Sequence, residues 1–192
     1  DSFDITSALE TATSLSVFHE NDGTAAAVAE LFYGHGRHNA DFLYLFLGSA
    51  IGGGLVLGGD VVRGNSGNAG DVAMMPVPPS RLSTAPKSGK PWSLLLSRAS
   101  LVSLARHLSP DGFAKLSRMD LQKAVEQGDP AATEWMADCI DALAPSLSSA
   151  YALLDMPLVI IDSDLEGLFA ERLVESLQTA LVEAAPEARD PP

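Results

Sequence analysis

Residues 42–59 are the longest stretch of the chain without a charged side chain, and they contain two apolar blocks. The blocks are FLYLFL and LVL, and six of the 18 residues are glycine, which costs about 1 kcal/mol at a helix-interior position. A membrane-spanning helix needs about 20 mostly apolar residues, so the length permits one but the glycine content argues against it. The pattern instead predicts strands at residues 42–47 and 54–59, joined by a glycine-rich turn.

The segments before and after these strands show mixed patterns. Before them, the sequence predicts a weak helix over residues 4–13, a strand over 14–19 and a helix over 24–33. After them, glycines indicate turns, and residues 71–77 have the pattern of a further short strand. The first part of the chain is therefore predicted to mix strands and helices.

The remaining residues are predicted to be largely helical. Residues 76–91 are rich in proline, serine and lysine and lack periodicity, which predicts a mobile loop or excursion. The helical segments that follow cover residues 92–107, about 119–127, 130–154 and 164–185, with an apolar strand at 157–161 before the last of them.

The helix over residues 130–154 contains two prolines. Pro130 suits a first helical turn with Asp129 as its N-cap, whereas Pro145 is predicted to kink or divide the helix. The chain thus has strands first, then helices, then a strand and a helix. This order indicates an α/β fold.

Charge and cysteine content restrict the partners of the chain. It has 192 residues, a formal net charge of −13 and one cysteine, Cys139. A surface this acidic repels phosphate groups, which argues against binding of DNA or of an anionic membrane by these residues. One cysteine forms neither an internal disulfide nor a cysteine-based zinc cluster, and this fits a reducing cytoplasm. The N-terminus lacks the pattern of a signal peptide and begins without methionine, which suggests a fragment of a longer chain.

The segment HENDGTAAAVAE, residues 19–30, places polar residues between a predicted strand and a predicted helix. In one interpretation, Asp22 or Thr24 caps the helix by accepting a hydrogen bond from an unpaired backbone N–H group. In the other, Asp22 is a carboxylate in a cleft that accepts the proton of a substrate hydroxyl during phosphoryl transfer. The pattern alone allows both interpretations.

The segment GSAIGGG, residues 48–54, also allows two interpretations. Its glycines suit a concavity in which backbone N–H groups bind an anion, and they equally suit a hairpin turn with positive φ angles. The segment has no P-loop lysine and does not open a helix after a strand. A third segment, AGDVAM at residues 69–74, indicates by itself only a turn followed by a strand.

Together, NDGTAAAVAE, GSAIGGG and AGDVAM resemble the motifs of the ROK family in their order and spacing. This family contains bacterial repressors and sugar kinases. The resemblance implies an actin-like, ribonuclease H-like ATPase lobe of the α/β class, with a mixed central sheet and helices on both faces. It assigns residues 1–40 to the end of an N-terminal lobe and a crossing helix, and residues 41–185 to the C-terminal lobe. It also places the first phosphate motif and the repressors' DNA-binding domain outside this chain.

The resemblance also implies roles for individual residues. Asp22 takes the position of the catalytic base, and Asn21, Asp22 and Asp71 would bind sugar hydroxyls. Asp71 stands where the family usually has glutamate, so it keeps the charge and loses one methylene of reach. The ATP phosphates would lie near Gly48, Ser49, Gly52 and Gly53.

The chain departs from the family pattern at three places. Met74 replaces a histidine that contacts sugar and zinc, and a thioether suits neither task. Residues 76–91 replace the family's cysteine-rich zinc loop, so no zinc or other metal site is predicted. Asp162 and Ser163 replace paired glycines beside the nucleotide, although these residues or Asp164 could also cap the last helix.

These features predict the effector lobe of a ROK-type transcriptional regulator without kinase activity. It would be a cytoplasmic protein that binds a sugar or sugar phosphate and dimerises through its helices. It would reach DNA only through a domain absent from this chain, and it would not contact a membrane. One alternative is a sugar kinase with Asp22 as its base, and only that alternative requires ATP and Mg²⁺. Another is a degenerate structural module that only retains the fold.

Overall fold

The computed structural model of the protein describes residues 3–87 and 89–184. The strands are β1 (Phe42–Leu47), β2 (Ile51–Leu57), β3 (Asp60–Val62), β4 (Pro76–Val77), β5 (Ser93–Leu94) and β6 (Val159–Ser163). The helices are α1 (Ile5–Thr13), α2 (Asp22–Tyr33), α3 (Leu95–Ala99), α4 (Leu101–Leu108), α5 (Arg118–Glu126), α6 (Pro130–Leu154) and α7 (Leu168–Ala184). Short 3-10 helices cover His35–His38, Val72–Met74 and Phe113–Lys115.

The main sheet of the described residues is mixed, with the strand order β3–β2–β1–β6. β1 and β2 form an antiparallel hairpin, and β3 continues it beside β2. β6 lies parallel to β1, and a parallel neighbour needs a long crossover, which α3 to α6 provide here. β4 and β5 pair separately. The mixed sheet with its helices confirms the predicted fold class.

β1 is apolar throughout because both faces of the sheet are covered. Phe42 and Tyr44 pack in a small core on the side of α2, and Leu43 and Leu45 pack in a larger core on the other side. The larger core is completed by buried residues of the later helices, including Leu104, Trp135, Leu143, Phe169 and Leu173. Alternate strand residues point to opposite faces, so a strand covered on both sides carries no polar alternation. The predicted strand over residues 42–47 is confirmed.

The glycine-rich turn is shorter than predicted. β2 begins at Ile51, so residues 48–50 form the turn and residues 52–54 belong to the strand. None of the glycines in these two segments has the positive φ angle expected of a turn glycine. Positive φ angles occur at Gly58 (62°) and Gly59 (77°), which connect β2 to β3 and suit the right-handed twist of a tight hairpin. The predicted second strand therefore starts and ends too late.

Two further strand predictions are wrong or incomplete. Residues 14–19 form no strand, and Leu15 and Phe18 are 68% and 90% exposed. Residues 71–77 contain a 3-10 helix followed by the two-residue β4. A strand persists only beside a hydrogen-bonding partner, and an apolar pattern does not show whether such a partner is present.

Several helix boundaries depend on individual side chains. The predicted helix over 92–107 is divided into α3 and α4 at Ser100, whose hydroxyl accepts a hydrogen bond from the N–H of Ser103 at 3.3 Å. Asp129 caps α6 as predicted, whereas Pro145 does not divide that helix. Within the described residues, no helix combines the length and apolarity that a membrane span requires.

A buried ion pair joins α3 to α6. The Arg98 side chain is 1% exposed, and its Nε and Nη2 donate to the Asp138 carboxylate at 3.0 and 2.8 Å. Arg98 also donates to the Asp141 carboxylate at 2.8 Å. Burial acts to lower the pKa of Arg98, but the hydrogen bonds to Asp138 and Asp141 outweigh it, and the pKa is raised. Arg98 therefore stays charged inside the protein.

The same ion pair anchors the excursion between β4 and β5. Arg98 Nη1 donates to the Pro78 carbonyl at 2.8 Å, and the Arg81 backbone N–H donates to Asp138 at 3.4 Å. Further along, the Thr84 hydroxyl lies 2.6 Å from Nδ1 of His107 on α4. The sequence predicted mobility here, but these contacts hold the excursion against the helices.

Candidate functional site

The first turn of α2 leaves one carboxylate exposed at the helix N-terminus. Asn21 is the N-cap, and its Oδ1 accepts hydrogen bonds from the N–H groups of Gly23 at 3.0 Å and Thr24 at 3.3 Å. Asp22 is the first helical residue, and its Oδ1 accepts from the Gly23 N–H at 2.8 Å. The helix is therefore capped by Asn21 and not by Asp22 or Thr24. The Asp22 carboxylate lies at the positive end of the helix dipole.

Glycines in β2 allow α2 to approach the sheet closely. A Cβ atom at Gly23 would overlap the Gly53 carbonyl oxygen, and one at Gly54 would lie 2.6 Å from the Ala27 Cβ. These glycines therefore permit a helix-to-strand contact that any side chain would block. Gly54, which ends the segment GSAIGGG that also suited a hairpin turn, is therefore a packing glycine in this fold.

The opposite side of β2 is covered equally closely by the segment that follows β3. A Cβ atom at Gly53 would overlap the Gly70 carbonyl oxygen and lie 2.9 Å from Val72 Cγ2. Gly70 itself has a φ angle of 85°, which L side chains rarely adopt. The glycines thus bring the α2 N-terminus and residues 68–72 together around one strand.

These approaches form a cavity of about 120 Å³ with polar walls. The residues that line it are Asn21, Asp22, Ile51, Gly52, Gly53, Asn68, Ala69 and Asp71. Asn21, Asp22 and Asp71, which the resemblance assigned to sugar binding, therefore lie around one cavity. Asn68 was not predicted, although its place between Gly67 and Gly70, immediately before the AGDVAM segment, was a usable signal.

The residues assigned to phosphate binding divide between two cavities. Gly52 and Gly53 line the first cavity, whereas Ser49 lines a second one of about 280 Å³. Gly48 is buried in the turn, where its carbonyl accepts a hydrogen bond from the N–H of Leu101 at 2.8 Å. The other walls of the second cavity come from α4, the segment before α5 and the end of β6, and include Leu101, Val102, Leu116, Arg118 and Asp164.

Asp162 and Ser163 do not line that second cavity. Asp162 accepts a hydrogen bond from the Tyr44 hydroxyl at 3.1 Å, on the α2 side of the sheet. Burial and the charge of Asp162 raise the pKa of Tyr44, so the phenol remains protonated. The Ser163 hydroxyl donates to the Leu47 carbonyl at 2.8 Å. Both side chains therefore have partners within the lobe.

The interpretation of residues 162–164 as a helix cap is wrong. α7 begins only at Leu168, four residues after Asp164. Ser163 instead accepts a hydrogen bond from the N–H of Leu165 at 3.1 Å and closes the turn after β6.

Met74, which replaces the histidine of the family pattern, is the last residue of the 3-10 helix that follows Asp71. It is 56% exposed.

Removal of the Asn21 cap should measurably destabilise the lobe. We expect Asn21→Ala to lower the free energy of unfolding by about 0.5–2 kcal/mol, because two N–H groups of the first α2 turn lose their acceptor. Urea denaturation measures this change. The matched control is Asn65→Ala, because Asn65 lies exposed in the loop after β3. Equal effects of the two substitutions would contradict the assignment of the cap.

A mixed sheet with helices on both faces, and a polar cavity between a helix N-terminus and a glycine-rich strand, agree with the actin-like, hexokinase-like fold that the sequence motifs implied. The sequence profile of the ROK family matches residues 1–190. The chain belongs to the ROK family.

Similar proteins include both kinases and a regulator. The chain is 41% identical over 75 residues to a beta-glucoside kinase from Listeria monocytogenes, an alignment that covers 39% of this chain and 26% of the kinase. A ROK hexokinase from Thermus thermophilus shares 28% identity, with a TM-score of 0.74, and the match covers 99% of this chain and 65% of the hexokinase. A ROK family transcriptional regulator, a homolog of the E. coli MLC protein, matches with a TM-score of 0.72 over 93% of this chain and 47% of the regulator. At 21% identity, this last match shows the fold alone.

The aligned residues cover about a quarter of the length of the Listeria kinase and less than two thirds of the length of two further curated relatives. The family and the fold are therefore established, whereas the activity of the whole protein is a matter for proposal.

Proposed function

We propose that this lobe binds a sugar in the 120 Å³ cavity and is the effector lobe of a ROK-type transcriptional regulator. The observation that carries the proposal is that four residues with hydrogen-bonding side chains, Asn21, Asp22, Asn68 and Asp71, line that cavity. Carboxylates accept hydrogen bonds from sugar hydroxyls, and amides both donate and accept them. In small-molecule sites, a small number of placed polar groups fix the orientation of the ligand.

The chemistry around this cavity favours binding over catalysis. Met74 is exposed next to this wall and offers only a weakly accepting thioether where the resemblance expects histidine. Asp71 reaches less far than the glutamate expected at its position. Both differences remove contacts that would orient a sugar hydroxyl for attack, and phosphoryl transfer depends mainly on such positioning.

Sugar binding here would then bias a DNA-binding domain outside this chain. Such coupling requires that the sugar bind two conformations of the protein with different affinities. The net charge of −13 disfavours contact between this lobe and DNA, and so supports DNA binding by a separate domain. We also propose that the protein acts as a cytoplasmic homo-oligomer that dimerises through its helices.

The second candidate function is a carbohydrate kinase, and one specific observation favours it. The exposed Asp22 carboxylate lies on the cavity wall together with Gly52 and Gly53, as a base beside a phosphate-binding strand would. The side chains of Asp162 and Ser163 point to other partners and leave the larger cavity at Ser49 open. In this alternative, ATP with Mg²⁺ would supply the transferred phosphoryl group. Asp22 would accept the proton of the sugar hydroxyl.

Sugar titrations of the intact protein test the binding proposal. We expect calorimetry with a panel of neutral hexoses and β-glucosides to find a ligand whose affinity decreases about tenfold or more in Asp22→Asn and in Asp71→Asn, because each loses a charged hydrogen-bond acceptor. The matched control is Asp60→Asn, since Asp60 is an exposed β3 residue outside the cavity lining. Equal losses in all three variants would contradict the site.

An assay of sugar-dependent ATP turnover separates the two functions. The regulator proposal predicts no turnover with the sugar that binds. The kinase alternative predicts turnover that decreases about 10²–10⁴-fold in Asp22→Asn, the usual contribution of a general base. Turnover of this kind in the wild-type protein would overturn the proposal of a lobe without kinase activity.

A further inference from the structure

The cationic residues of this acidic chain are unevenly distributed. No Asp or Glu occurs between Asp71 and Asp111, and five of the 12 Lys and Arg residues lie in that interval. All 25 acidic residues lie outside it. The interval covers β4, the excursion anchored by Arg98, β5, α3 and α4.

The excursion presents some of these cations around a concave surface. Lys87 and Lys90 line a cavity of about 210 Å³ between the arms of the excursion, together with Ser80 and Ser93. The remaining lining residues are Pro79, Leu82, Ala85, Pro86 and Gly89. Arg81 is exposed on the same segment. The cavity thus combines ammonium groups with hydroxyl groups, and its lining among the described residues contains no carboxylate.

Contacts at both ends of the excursion hold parts of it in place. At the start of the excursion, the buried Arg98 donates to the Pro78 carbonyl, and Asp138 accepts from the Arg81 N–H. At the end, the Lys90 Nζ lies 4.4 Å from the centre of the Trp92 ring, at a distance typical of a cation–π contact. A binding surface that is already ordered loses less entropy on binding its ligand.

We propose that this cavity is an anion-binding site, separate from the sugar cavity, that takes a small phosphate ester or inorganic phosphate. Lysine ammonium groups bind phosphate as point charges, and serine hydroxyls can donate further hydrogen bonds. An extended polyanion such as DNA is disfavoured, because it would run from this cavity over an otherwise acidic surface. A compact dianion would need only the lysines and serines that line the cavity.

Calorimetric titration of the intact protein with inorganic phosphate and with glucose 6-phosphate tests the proposal. We expect both probes to bind, and the double variant Lys87→Gln/Lys90→Gln to lower the affinity about tenfold or more, since each lysine removes a charge-assisted hydrogen bond. The matched control is Lys115→Gln/Lys123→Gln, which removes two exposed lysines outside the basic interval. Glucose without phosphate should leave phosphate binding unchanged.

The comparison of probes identifies the form of the ligand. Tighter binding of glucose 6-phosphate than of phosphate supports a sugar phosphate, and equal binding supports free phosphate. The site is overturned if the wild-type protein binds neither probe, or if the control variant loses as much affinity as the Lys87/Lys90 variant. Thermal melting of each variant shows whether it is folded, so that a loss of affinity is separated from a loss of structure. Because the glucose moiety of glucose 6-phosphate is also a candidate ligand of the sugar cavity, the probe comparison is made in the Asp22→Asn variant, and the titration with inorganic phosphate tests the site without any sugar.

Discussion

Replacement of Gly53 with alanine is expected to destabilise the protein and abolish sugar binding, although only one methyl group is added. The new Cβ would overlap the Gly70 carbonyl oxygen and lie 2.9 Å from Val72 Cγ2. Backbone cannot rotate away as a flexible side chain can, so the segment that carries Asn68 and Asp71 would have to move. Overpacking of this kind costs about 1–3 kcal/mol, and the displaced wall would lose its alignment with Asp22.

Gly52 provides a matched control for this experiment in the same strand. A Cβ atom at Gly52 would meet only the Phe46 Cβ, at 4.0 Å, which is an ordinary van der Waals contact. Gly52→Ala should therefore keep its stability to within about 0.5 kcal/mol. Urea denaturation of both variants checks the predicted difference in stability, and sugar calorimetry on Gly53→Ala checks the loss of binding. If Gly53→Ala and Gly52→Ala behave alike, the close packing at Gly53 is not what shapes the cavity.

Loss of the Asp138 carboxylate is expected to be the most destabilising single change in the helical half of the protein. In Asp138→Ala, the guanidinium of Arg98 would remain buried without its main partner, which typically costs about 3–5 kcal/mol. This loss is a large part of the free energy of unfolding of most proteins, which is about 5–15 kcal/mol. The anchors at Pro78 and Arg81 would weaken as well, so the excursion should become sensitive to proteases.

The tryptophan at the centre of the network can report this loss. Trp135 is fully buried, and its indole N–H donates to the Arg98 carbonyl and to the Ser103 hydroxyl at 3.1 and 2.7 Å. Its fluorescence should therefore follow urea unfolding of this region. The matched control is Asp141→Ala, because the Asp141 side chain is 50% exposed and its ion pair is worth about 1 kcal/mol or less. A similar loss in both variants would show that burial does not determine the effect.

Local patterns were sufficient for elements whose stabilising contacts lie within the element. β1 was predicted residue for residue, because a run of six apolar residues flanked by Asp41 and Gly48 suits a strand buried on both faces. The start of α6 was predicted because Asp129 and Pro130 act within one turn of the helix. The strand expected at residues 14–19 was wrong because a strand depends on a partner elsewhere in the chain.

For the candidate site too, local sequence patterns identified residues but not their partners elsewhere in the chain. Motif order identified Asn21, Asp22 and Asp71 as related residues, although 49 positions separate Asp22 from Asp71. The sequence did not show that Gly53 and Gly54 serve close packing on the two sides of β2. It also did not show that Asp162 would be held by Tyr44, away from the larger cavity. Side-chain direction on a strand depends on register, and register depends on pairing.

By itself, the sequence determined the α/β class, the family and the residue types available for binding a polar ligand. These depend on composition and on short motifs, which are local properties of the chain. Only the tertiary structure decided that Asn21, Asp22, Asn68 and Asp71 share one cavity and that Ser49 faces another. It also decided that Arg98 holds the start of the excursion in place. Arg98 does so from a buried ion pair with Asp138, which lies 40 positions away in the sequence. Distances between remote residues follow from packing, and packing is a property of the whole fold.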